Sequence, residues 1–120
     1  MRVYAWRSLK YLTRDVEAAT PALIKYLKHP SAEVRTFAVE TLCNARVQPP
    51  EAIGPVADCL KDPARSVRSA AAVGLRGYGS RAKAGVPALT NALQDFWIRD
   101  SVARTLKTID PDAAAKAGVE

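Results

Sequence analysis

Residues 55–76 read PVADCLKDPARSVRSAAAVGLR, and their pattern decides the fold. Pro55 suits a first helical turn, where its missing N–H has no partner to lose. Val56 and Leu60 lie four apart, as the apolar stripe of a short helix requires. Lys61-Asp62-Pro63-Ala64 is a polar break in which the proline stops that helix. Beyond it Val67, Ala71, Leu75 and Tyr78 recur at helical spacing, so a second helix follows. Ala71 and Gly74 on that helix are small enough to let a neighbouring helix approach closely. One such hairpin cannot cover its own apolar side, whereas a stack of hairpins buries a continuous core.

The rest of the chain repeats this unit. A shift of 33 residues superposes Leu27, Leu60 and Leu93, then Leu9, Leu42 and Leu75, then Ala5, Ala38 and Ala71. Val34-Arg35 falls on Val67-Arg68, with Arg2 at the same position, and Pro30 falls on Pro63. Lys83-Ala84-Gly85-Val86 recurs as Lys116-Ala117-Gly118-Val119. The third unit is shortened: Ile98-Arg99 and Leu106 come 31 residues after Val67-Arg68 and Leu75, and the deletion falls in the turn around Asp95-Phe96-Trp97. Such length changes belong in turns. Pro21 and Pro87 are expected to open the first helices of their units, and Ser31 to cap the second helix of the first. No stretch alternates as a strand does.

This arrangement predicts an all-α fold, a right-handed α-solenoid of stacked antiparallel helix pairs in one domain over 1–120: a half repeat at 1–16, repeats at about 17–49, 50–82 and 83–112, and a stub at 113–120 where another first helix would begin. Arrays of this kind need polar ends. Val3, Tyr4, Trp6 and Leu9 on the leading half repeat lack a preceding helix, so we expect an apolar N-terminal face that self-associates or meets a further part of a longer array.

The totals exclude several function classes. At 48% hydrophobic and 25% charged residues, the 120-residue chain has an ordinary globular composition. No apolar run is long enough to span a membrane, and MRVYAWRSLKYLTRD lacks the features of a signal peptide, so a cytoplasmic protein is expected. The net charge of +6 favours acidic partners without forming a dense basic stripe. Cys43 and Cys59 fit no paired metal-ligand spacing, and His29 is the single histidine; neither a metal nor a cofactor is expected. Gly77 and Gly79 are helix stops and not a phosphate cradle. No catalytic constellation accompanies Cys43, so no enzymatic activity is expected.

The pattern resembles the HEAT repeats, and in particular compact bacterial HEAT-like repeats of the bilin-lyase kind. That family carries a proline in its first helix, an aspartate eight residues on at the turn, and a valine–arginine pair opening the second helix. Pro21, His29 and Val34-Arg35 hold these places in the first unit, Gly54-Pro55, Asp62 and Val67-Arg68 in the second, and Pro87, Asp95 and Ile98-Arg99 in the third. His29 departs from the aspartate. The resemblance implies that Arg35, Arg68 and Arg99 form a structural ladder with the turn aspartates Asp62 and Asp95, and that the second helices line a concave face.

The aligned positions on that face are Trp6, Val39, Ala72 and Ala103, then Arg7, Glu40, Val73 and Arg104, then Lys10, Cys43, Arg76 and Lys107. Trp6, Arg7, Lys10, Val39, Cys43, Ala72, Arg76, Arg104 and Lys107 are therefore the candidate contacts of a protein or peptide partner, on a partly apolar floor with basic edges. The alternative reading is nucleic-acid binding, with phosphate contacts from Arg7, Lys10, Arg68, Arg76, Arg104 and Lys107, against which Glu40 and Asp100 weigh. Phe96 and Trp97 in the shortened turn are candidate binding anchors. A protein-interaction scaffold is the function the resemblance implies.

Overall fold

The computed structural model describes residues 16–45 and 48–119, with side chains from residue 19 onward. Among them every regular element is helical. The first hairpin pairs α1 (Val16–Tyr26) with α2 (Ala32–Cys43). The second pairs α3 (Ile53–Asp58), flanked by 3-10 turns at Pro50–Ala52 and Cys59–Lys61, with α4 (Arg65–Arg76). A long 3-10 stretch, Gly79–Gly85, leads to the third, α5 (Val86–Ala92) with α6 (Arg99–Ile109), and α7 (Pro111–Lys116) closes the chain. The hairpins stack side by side: α2 packs along α4, and α4 along α6.

The superposed apolar positions become one core. Leu42, Leu75 and Leu106 are completely buried, as are Val34, Val67 and Ile98 at the head of each second helix and Ala38, Ala71 and Val102 one turn on. Leu23, Val56 and Leu89 meet them from the first helices. Burial of the larger of these side chains contributes about 1.5–3 kcal/mol each, and all of them but Val34 belong to one continuous cluster that runs through the three hairpins.

Three local expectations are corrected. Pro21 lies inside α1, five residues past its start, and not in its first turn; it forgoes one intrahelical hydrogen bond there. Ser31 sits at the N-cap of α2, but its side chain makes no cap bond. Instead the His29 Nδ1 accepts the Ser31 N–H at 3.0 Å. The repeated Lys-Ala-Gly-Val segments also diverge. Gly85 has an ordinary helical conformation and passes straight into α5, whereas Gly118 has φ +83 and ends α7. Around it the Val119 N–H reaches back to the Ala114 carbonyl at 2.9 Å and the Gly118 N–H to that of Ala115 at 3.1 Å. This paired closure is the Schellman arrangement, which glycine adopts without a steric penalty.

Gly54 is a weak point of a different kind. It is exposed within α3, and a Cβ added there meets nothing within 4 Å apart from its chain neighbours. Gly54→Ala is expected to raise stability by no more than about 0.5 kcal/mol, because the gain from lower unfolded-chain entropy and better helix propensity is offset by crowding of the new Cβ against the Pro55 ring. Urea denaturation checks it; a lowered midpoint would mean that the short helix tolerates no further stiffening.

Candidate interaction surface

Between α2 and α4 runs an open groove of about 490 Å³. Thr36, Glu40 and Asn44 form one wall; Ser66, Ser69 and Val73 form the other. The depression exists because the residues along its base, among them Cys43, Ala70, Gly74 and Gly77, are small. The two walls touch at the turn end, where the Thr36 hydroxyl lies 3.5 Å from that of Ser66. Val73 is 57% exposed, the one large apolar side chain that the second helices turn to solvent among the described residues. Among the described residues, Glu40 is the only charged one of the lining.

Along the turn edge the arginines form a ladder that ties each hairpin to the next. Arg35 grips Asp62 with two bonds, Nε to Oδ2 at 2.8 Å and Nη2 to Oδ1 at 3.0 Å. Its Nη1 donates to the His29 and Pro30 carbonyls of its own turn at 2.7 and 3.0 Å. Arg68 repeats this one unit on: Nε to Asp95 Oδ2 at 2.8 Å, and Nη1 to the Asp62 and Pro63 carbonyls at 2.8 and 3.1 Å. Each aspartate also fixes its own turn, Asp62 accepting the Ala64 N–H at 2.9 Å and Asp95 the Trp97 N–H at 3.0 Å. His29 performs this second task in the first unit, its ring nitrogen replacing the carboxylate oxygen. Arg99 bonds the Leu93 carbonyl of its own turn at 3.2 Å and has no ion pair among the described residues.

Two family models match the chain. The model of HEAT repeats covers residues 1–76, and that of the PBS lyase HEAT-like repeat covers residues 67–95. The chain belongs to the HEAT-repeat family. No curated protein matches it. HEAT repeats are in general scaffolds for protein interactions. No helix among the described residues is long and apolar enough to cross a membrane.

Within this HEAT array the residues expected on the second-helix face separate into three groups. Val39 and Ala72 are completely buried and belong to the core, which corrects their reading as partner contacts; Cys43 is nearly buried and reaches the surface only at the base of the groove. The reason is that each second helix is packed on two sides, by its own first helix and by the second helices of adjacent units, so its buried arc is wider than a single stripe. Arg76, Arg104 and Lys107 are exposed on α4 and α6 but do not line the groove. Trp6, Arg7 and Lys10, like Val3, Tyr4 and Leu9 of the expected N-terminal face, lie outside the described residues.

The chemistry of the HEAT stack is quiet. Burial pushes the Cys43 thiol up to about 12 and the Cys59 thiol up to about 11, so both stay protonated at neutral pH and neither is a ready nucleophile. Burial likewise raises the Tyr78 hydroxyl, which donates to the Pro49 carbonyl at 2.9 Å. Among the described residues no group of three or more His, Cys, Asp and Glu side chains is placed to hold a metal.

One cluster was not foreseen from the sequence. Gln48 donates its amide to the Cys43 and Gly77 carbonyls at 3.2 and 3.1 Å and accepts from the Arg81 guanidinium, which also lies over the Tyr78 ring. These bonds clasp the connection after α2 to the end of α4. Their only trace in the sequence is an isolated glutamine in a proline-rich link, a weak signal.

Proposed function

We propose that this HEAT array is a protein-interaction scaffold without catalytic activity, whose working surface is the face of its second helices. An extended segment of a protein partner lies in the groove between α2 and α4. The observation that carries this reading is Val73: an exposed valine set among hydroxyls and small residues offers one apolar anchor point within hydrogen-bonding walls, the composition of peptide grooves. Packing supports it. The second helices lie close together from unit to unit, while the first helices α3 and α5 share only a small contact, as expected if the second helices line the inner side of a bend. Glu40 in the lining opposes a phosphate backbone there.

Selection of displayed short peptides on the immobilised chain tests the proposal. At least one family of selected peptides is expected to bind the wild type and to lose about tenfold or more in affinity on Val73→Asp, a change at an exposed position that leaves the core intact. If no selected family responds to Val73→Asp or to Ser69→Arg, the groove is not the working surface.

A further inference from the structure

At the turn edge of the second and third units, away from the groove's Val73, Phe96 and Trp97 are 73% and 63% exposed. They are held in place and do not trail in solvent. The Trp97 N–H is bonded to Asp95, itself paired with Arg68. The two rings meet edge to face, 5.4 Å between centroids at 84°. The Arg65 guanidinium covers one face of Trp97, 4.7 Å from the ring centre. The edge also carries more free cations than anions. Asp62 and Asp95 are both drawn into the arginine ladder; Lys61, Arg65 and Arg99 are exposed, against the exposed carboxylate of Asp100.

From this geometry we propose a second docking surface, independent of the groove, for an acidic peptide segment that carries an apolar side chain. A partner carboxylate pairs with Arg65, already oriented by its stacking on Trp97, and Lys61 and Arg99 add to the field that draws it in. The neighbouring apolar side chain lies against Phe96 and the open face of Trp97. Rigid aromatic anchors of this kind lose little entropy on binding. The ring geometry favours a peptide over a nucleic-acid strand. Successive stacked bases need ring faces that lie parallel, whereas the Phe96 and Trp97 rings stand at 84° to each other and Arg65 covers one face of Trp97.

Fluorescence anisotropy with a labelled peptide of alternating aspartate and leucine provides the test, with a lysine–leucine counterpart and oligothymidylate as comparison probes. The acidic peptide is expected to bind, to weaken about tenfold in Trp97→Ala and in Arg65→Glu, and to bind Val73→Asp unchanged. Both substituted side chains are exposed, so circular dichroism is expected to report an unaltered helical fold. Any of four results overturns the proposal: no binding of the acidic peptide, equal binding to Trp97→Ala, equal binding of the lysine–leucine peptide, or competition by oligothymidylate that depends on Trp97.

Discussion

Asp62→Ala is expected to destabilise the chain by about 3 kcal/mol and to lower its melting temperature by on the order of 10 °C. Three bonds end on this carboxylate, two from Arg35 in the preceding hairpin and one from the Ala64 backbone in its own turn. The Arg35 and Asp62 side chains are 13% and 8% exposed, so the substitution leaves a guanidinium largely shielded from water and without its acid. Removing one member of such a pair costs more than the pair contributes net, because the remaining charge is stranded. Asp95→Ala is expected to cost less. Arg68 reaches Asp95 through a single nitrogen, and those side chains are 17% and 22% exposed, so water takes over part of the lost interaction. Chemical denaturation of both variants checks the order, and a double-mutant cycle of Arg35→Ala with Asp62→Ala isolates the coupling. Equal losses at Asp62 and Asp95 would show that two-point pairing and shelter do not set the strength of the rungs.

The ladder marks how far the sequence reading reached. The residues of each rung were legible from the resemblance, since Val-Arg pairs and turn aspartates recur at fixed spacing. The structure adds the direction, each arginine crossing to the aspartate 27 residues on. The leucine register was legible for a stronger reason: Leu42, Leu75 and Leu106 must face one core if hairpins stack, and a deletion confined to a turn leaves that facing unchanged. His29 was read as a break in the pattern. Hydrogen bonding explains why it is tolerated: the turn needs an acceptor two residues before the N–H it fixes, and a ring nitrogen supplies one as well as a carboxylate oxygen does.

The surface was less legible than the core. A periodicity argument assigns one stripe to the interior and the rest to solvent, but Val39, Cys43 and Ala72 are buried as well, and Val39 and Cys43 lie against Gly74 of the adjacent second helix. The sequence did carry a cue in the run of small residues around Ala71 and Gly74, which marks where helices approach closely. How closely is a matter of ångströms that spacing cannot supply. The groove follows from the same geometry: small residues pull α2 and α4 together at their base, while Thr36, Ser69 and Val73 stand clear above.

Gly74 is where this closeness is decided, and Gly74→Val is expected to cost about 3 kcal/mol, near the upper end of overpacking penalties. Even a bare Cβ at this position would lie 2.6 Å from the Cys43 Sγ and 2.9 Å from its Cβ, inside van der Waals contact. Glycine is a poor helix former, so an unstrained replacement would stabilise the helix; its presence in the last turn of α4 is explained by the contact. The aligned position of the third unit is Thr105, whose hydroxyl donates to the Ala72 carbonyl at 2.6 Å while remaining buried. The α4–α6 interface therefore accepts a branched side chain where the α2–α4 interface does not, and the two gaps differ although the sequence units align. Thermal melts check the magnitude. Cys43→Ala in the Gly74→Val background is expected to recover part of the loss, because it removes the nearer of the two clashing atoms but leaves the Cβ. A double variant no more stable than Gly74→Val alone would place the strain elsewhere in α4. Gly74 and Cys43 also line the groove, so forcing α2 and α4 apart reshapes the proposed binding surface as well. Peptides selected on the wild type are expected to weaken on Gly74→Val even at temperatures where the variant remains folded.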